Sequence, residues 1–162
     1  QEKVKSLNIG LGSKKDIIRF TQTLDTVNHV ATQNEIDAIN VEVEKLDTIA
    51  KNKKPLLIKM DVEGFETDVL NGSEEVLKSK DLKAIIIELN GSGERYGYDE
   101  NQIHIKLLDN GFKPYKYNPK SRKLIQIEHF GSHNTIYIRD IQFVMNRVKT
   151  SRKIIVGGRQ KI

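Results

Sequence analysis

Two runs in the middle of the chain are apolar almost without a break, Leu56-Leu57-Ile58-Lys59-Met60-Asp61 and Ala84-Ile85-Ile86-Ile87-Glu88-Leu89-Asn90. A strand with one wet face alternates apolar and polar residues, so an unbroken run points to a strand covered on both faces, as in parallel sheets flanked by helices. The residues between the runs agree with that reading. Phe65 to Lys80 is helix-compatible through Phe65, Val69, Leu70, Val76 and Leu77, with a break at Asn71-Gly72-Ser73 that can recap a second helix. Strand, crossover helix and strand make a right-handed βαβ unit. The pattern therefore predicts two parallel neighbours, central in their sheet.

The flanking sequence extends this unit in both directions. Val4 to Leu11 and Ile17 to Thr21 read as strands about a turn, Val41 to Glu44 as an edge or half-exposed strand, and Leu46 to Ile49 as a helical turn. Downstream, Asp99 to Asn110 is an amphipathic helix stopped by Gly111, followed by short strands at Phe112 to Tyr117, Leu124 to Ile127 and Asn134 to Ile138. Asp140 is placed to cap a last helix, Ile141 to Val148, before an extended segment at Lys153 to Gly158. The expected fold is one α/β domain over 1–162, with a mostly parallel sheet and an antiparallel carboxyl-terminal edge.

Composition narrows the function classes. The longest unbroken apolar runs are four residues or fewer, so no segment can span a bilayer, and no membrane partner is expected. With no cysteine there is no disulfide framework, which fits a reducing, cytoplasmic setting. The net charge of +5 sits at one end. Six basic residues and no acidic ones follow Asp140, leaving 21 basic against 22 acidic groups in the first 140 residues. This basic tail, over 147–162, lacks the interleaved aromatic residues of a nucleic-acid platform and reads as a solvated face.

The chemistry-bearing stretch is Lys59-Met60-Asp61-Val62-Glu63-Gly64-Phe65-Glu66. It puts Asp61 and Glu63 where a strand ends and a helix begins, the place where open α/β sheets bind ligands, with Gly64 allowing close approach. Glu66, inside the first turn, is assigned to complementing the helix dipole. Lys59 and Glu88 are charges within apolar strands, and they read equally as an ion pair fixing register or as part of the site. Asn90 opens a polar, aromatic loop, Asn90 to Tyr98, suited to facing a substrate. Gly10-Leu11-Gly12-Ser13 is not a phosphate-cradling loop, because a strand rather than a helix follows it. The histidines show no metal spacing, and no metal is expected.

These residues carry a resemblance. Leu56 to Glu66, then Val69-Leu70-Asn71-Gly72, then Ile85-Ile86-Ile87-Glu88, resemble the FkbM-type methyltransferases, as do Val41 to Asp47 and Asn134 to Asp140. The resemblance implies a Rossmann-like class I fold, S-adenosylmethionine as cofactor, and O-methylation of a sugar, glycan or secondary metabolite. It implies that Asp61, Val62 and Glu63 face the methionine end of the cofactor and the acceptor, with Asn28 and His29 near the same crevice. The family's first strand, glycine-rich turn and helix have no counterpart here. The chain is thus expected to be the carboxyl-terminal part of such a domain, its sheet edge covered by a preceding part or by a partner chain.

Methyl transfer to a hydroxyl needs an aligned acceptor oxygen and a group to take its proton. Asp61 or Glu63 is the candidate base, with Lys59 or Glu88 tuning its pKa and Asn90 orienting the acceptor. The competing expectation is a non-catalytic Rossmann-like interaction module that kept the sheet and lost cofactor binding.

Overall fold

The structure, a computed structural model, describes residues 4–153, 155–156 and 160–161. It begins with a three-stranded sheet built from β1 (Gly10–Leu11), β2 (Asp16–Thr21) and β3 (Ala38–Glu44), in the order β1-β3-β2. β2 and β3 pair antiparallel from Asp16 opposite Val43 to Thr21 opposite Ala38, and β1 joins β3 in parallel. β3 is therefore the middle strand, although its exposed and half-exposed pattern accounts for the edge-like alternation in the sequence. The expected strand over Val4 to Leu11 shrinks to Gly10–Leu11, and Val4 and Leu7 are exposed.

After α1 (Leu46–Ile49), β4 (Leu57–Met60) runs parallel to β5 (Ala84–Glu88), with Lys59 opposite Ile86. The crossover contains two helices, α2 (Glu66–Asn71) and α3 (Glu74–Lys78). They part at Gly72, where the chain turns against the backbone of Gly12 with no room for a side chain. Asp47, just inside α1, caps α3: its two carboxylate oxygens accept from the N–H groups of Glu75 and Val76 at 3.0 and 2.9 Å.

Beyond β5, α4 (Glu100–Asp109) is capped by the Asp99 carboxylate and stopped at Gly111, which has φ +83°. β6 (Lys113–Asn118), β7 (Lys123–Gln126) and β8 (Asn134–Ile138) complete a five-stranded sheet in the order β4-β5-β8-β6-β7. The last helix, α5 (Ile141–Thr150), is capped by Asp140, and the pair β9 (Ile155–Val156) and β10 (Gln160–Lys161) is antiparallel. Arg147 and Lys149 thus lie on α5, so the basic segment starts inside a helix.

Two expectations need correction. The sheet is mixed and mainly antiparallel, β4 with β5 being its one parallel pair. β4 is not central but an edge strand, with Leu56 and Leu57 about half exposed. The apolar run of β5 does reflect burial on both faces. Ile85, Ile87 and Leu89 pack with Val69, Leu70, Val76, Leu77, Ile103 and Leu107 of α2, α3 and α4. Ala84 points the other way, into a smaller cluster with Ile138 and Tyr115 that α5 covers through Ile141 and Val144. Helices on both faces produce such a run whatever the direction of the neighbouring strand, and β5's second neighbour, β8, is antiparallel.

Candidate active site

β4 ends at the buried Met60, and the next four residues make a tight turn into α2. Glu63 and Gly64 are both left-handed, at φ +51° and +98°. That is uncommon for a glutamate, and such conformations persist where the surroundings hold them. The surroundings here are the loop after β5. A Cβ on Gly64 would lie 2.4 Å from the carbonyl oxygen of Ser92 and 2.9 Å from the N–H nitrogen of Gly93. Only a glycine lets these two backbones touch.

On its other side the turn faces the three-stranded sheet across a cavity of about 750 Å³. Asp61, Val62, Glu63 and Phe65 form one wall, while Gly10, Phe20, Asn28 and Val30 belong to the other. Among the described residues the lining holds two carboxylates and no basic side chain, the remainder being largely apolar. The sheet is fixed to α2 by the Asp68 carboxylate, which accepts from the Ser13 N–H at 2.9 Å. At the far rim, the Tyr96 hydroxyl donates to the Val30 carbonyl at 2.8 Å. Tyr96 also packs edge-on against Phe65, with ring centroids 5.4 Å apart, and near Tyr98 at 6.0 Å. Burial pushes the Tyr96 phenol up to about 12, so the hydroxyl keeps its proton at any ordinary pH.

Asp61, Val62, Glu63 and Asn28 therefore come together on one cavity, whereas His29, Lys59, Glu88 and Asn90 do not line it. Lys59 is not buried. Its ammonium pairs with Asp61 at 2.8 Å, both side chains being about half exposed, because β4 is an edge strand open to water. Lys59 therefore has Asp61, not Glu88, as its partner, and Glu88 enters no ion pair among the described residues. Asn90 turns back on its own loop, its side-chain oxygen accepting from the Ser92 N–H. Asn28 is likewise held locally, accepting from the Leu24 N–H and donating to the Asp25 carbonyl.

His29 is buried, with Nδ1 2.8 Å from the Val27 carbonyl and Nε2 2.9 Å from Glu35 Oε1. Glu35 is itself held below the usual carboxylate range, first by the Thr32 N–H and hydroxyl. With both ring nitrogens engaged, His29 braces the loop that carries Asn28 and Val30.

Sequence reasoning placed Tyr96 only within a substrate-facing loop and underrated Glu66. Tyr96 touches a residue 66 positions away, which no local pattern encodes. Glu66 is 3% exposed, and its Oε1 accepts from the Val62 N–H at 3.2 Å. The four-residue spacing between Val62 and Glu66 was the available signal.

The family comparison bears on the same residues. A family model described as Methyltransferase FkbM domain matches residues 5–114, which takes in the hairpin sheet, the acidic turn and the loop after β5. The chain belongs to the FkbM methyltransferase family. Comparison with curated proteins and with solved structures gave no significant match. Within this family member, the acidic turn and its cavity fall wholly inside the matched span, while β7, β8 and α5 lie beyond it. No helix among the described residues is long and apolar enough to cross a membrane.

Proposed function

We propose that this FkbM-family chain serves S-adenosylmethionine-dependent O-methylation of a hydroxyl on a sugar, glycan or secondary metabolite, with the acidic turn as its chemical centre. The observation that carries the reading is the joint placement of Asp61 and Glu63 on the cavity at the end of β4. A lining with two carboxylates, no basic side chain and much apolar surface suits a ligand bearing a sulfonium cation and an ammonium group. Bound there, the cofactor supplies an electrophilic methyl group.

The chain's own residues would then hold the acceptor and manage its proton. Asp61 or Glu63 would take the proton that the acceptor hydroxyl loses when it is methylated. Glu63, on the cavity wall and unpaired among the described residues, is the better placed base. Asp61 shares its charge with Lys59 and is better suited to accepting a hydrogen bond from a hydroxyl. The role of Lys59 becomes indirect, through Asp61. Asn28 can offer a hydroxyl-binding group only by giving up its bonds to Leu24 and Asp25. The free edge of β4 is the natural place for a further strand, from additional chain or a partner, bringing contacts to the cofactor's nucleotide end.

The test is product analysis after incubating the protein that carries these residues with methyl-labelled S-adenosylmethionine and a panel of sugars, glycans and hydroxylated metabolites. Label recovered in a methyl ether supports the reading. Label on nitrogen or carbon, or binding of the acceptors with no transfer at all, overturns it, the second outcome in favour of an interaction module.

A further inference from the structure

Glu66 is the only fully buried carboxylate among the described residues, and it has no cationic partner among them. A buried acid without a cation needs hydrogen-bond donors to offset its lost hydration. The donors here are backbone N–H groups. Val62 donates to Oε1, and the N–H groups of Gly64 and of Glu66 itself act on the same carboxylate. The left-handed conformations of Glu63 and Gly64 give the turn a concave inner side, and successive N–H groups in such a turn converge on one point. Glu66, the first residue of α2, reaches back to occupy it.

We infer that Glu66 is the positioning residue of the acidic turn: its carboxylate fills the inner side and thereby sets the direction in which Asp61 and Glu63 face the cavity. The inference rests on the proposed role of those two residues. It explains why Glu63 stays left-handed, because relaxing its φ would carry the Val62 and Gly64 N–H groups away from Glu66. It also explains the local chemistry, since a carboxylate has two oxygens to meet several donors whereas a carboxamide has one. The turn is gripped from both sides, by Glu66 within and by the backbone of Ser92 and Gly93 outside.

Other groups act on the same carboxyl. Burial pushes it above the ordinary glutamate range, and Glu100 of α4 pushes the same way. The surrounding N–H groups oppose that, and the Tyr96 phenol feels the Glu66 charge in return.

The experiment follows amide chemical shifts and hydrogen exchange in the chain and in its E66Q and E66A forms. The Val62 and Gly64 amide shifts are expected to titrate together in the wild type, with a midpoint above the ordinary glutamate value, and to lose that titration in E66Q. In E66A their protection should fall about tenfold or more relative to amides of β5. If E66A does not fold, the loss of titration in the isosteric E66Q still decides the matter. Val62 and Gly64 shifts that stay flat in the wild type through the acid range, or that titrate unchanged in E66Q, would overturn the assignment. In the methyl-transferring protein, E66A should lower transfer at least tenfold and E66Q should restore part of it. Loosened amides with undiminished transfer would leave the hold of Glu66 on the turn standing and refute the role given to Asp61 and Glu63.

Discussion

Replacing Gly64 by alanine tests the most constrained contact of the site. Two costs are separable. Forcing a residue with a Cβ to keep φ +98° costs about 1–2 kcal/mol. The Cβ would also overlap the Ser92 carbonyl oxygen at 2.4 Å, and because that neighbour is backbone it cannot rotate aside. Overlap of this kind adds about 1–3 kcal/mol when the structure must shift to relieve it. The expected loss for Gly64→Ala is therefore about 2–5 kcal/mol. Gly91 provides the internal control, since its φ is +89° and a Cβ there meets nothing within 4 Å. Gly91→Ala should show the conformational cost alone, about 1–2 kcal/mol. Urea unfolding of the wild type and both variants, compared at equal slope, gives the difference directly. Equal losses in the two variants would refute the close approach of the acidic turn to the loop after β5, and with it the account of why Glu63 is held left-handed.

Tyr96→Phe removes one hydrogen bond to Val30 while keeping the ring against Phe65, so it should cost about 0.5–1.5 kcal/mol in thermal unfolding and raise exchange at the Val30 to Ala31 segment. An unchanged exchange pattern would mean that the tyrosine does not tie the cavity walls together. Arg139→Met should cost about 3 kcal/mol or more in urea unfolding, because the guanidinium donates to the carbonyls of Leu77, Ser79, Leu82 and Asn110 while stacking 4.1 Å over Phe112. A loss under about 1 kcal/mol would mean that water takes over those carbonyls. On the proposal that a further strand beside β4 brings the nucleotide-end contacts, titration calorimetry of the 162-residue chain with S-adenosylmethionine should show no saturable binding, since the cost of immobilising the ligand is incurred in full without them. Saturable micromolar binding would show that these residues suffice for the cofactor.

Much of the fold was legible because its signals are local. The break between α2 and α3, the cap at Asp140 and the stop at Gly111 each depend on residues within a few positions, and all three stand where the sequence put them. The pairing of β4 with β5 was legible as well, because a helical crossover between two apolar runs leaves little choice. The position of β4 at the edge was not. An apolar run reports that its faces are covered and is silent about which strand lies on each side, and β8 entered beside β5 from 46 residues away. Misplacing β4 also misplaced Lys59, which was read as a buried charge seeking Glu88 and is a half-exposed one paired with Asp61.

The candidate site divides in the same way. Asp61, Val62 and Glu63 share one turn, so their common placement needed only the strand end, and Asn28 reaches the same cavity from the hairpin sheet. His29 engages both ring nitrogens and Asn90 its side-chain oxygen within their own loops, a choice made by short-range geometry that residue type alone does not reveal. Glu66 was visible in the pattern but was credited to the helix dipole. What distinguishes it is burial, which residue type and spacing do not report.

The proposed part of the acidic turn in methyl transfer can be measured through S-adenosylhomocysteine formation in the protein that carries these residues. Wild type, Asp61→Asn and Glu63→Gln are compared under single-turnover conditions, with urea midpoints measured alongside. If Glu63 is the base, it follows that Glu63→Gln should lower the rate about 10²–10⁴-fold, the range for loss of a general base, with stability changed by less than about 1 kcal/mol. Asp61→Asn should give a smaller fall, with weaker retention of the acceptor. Full activity in both variants, each folded as the wild type is, would contradict the proposal.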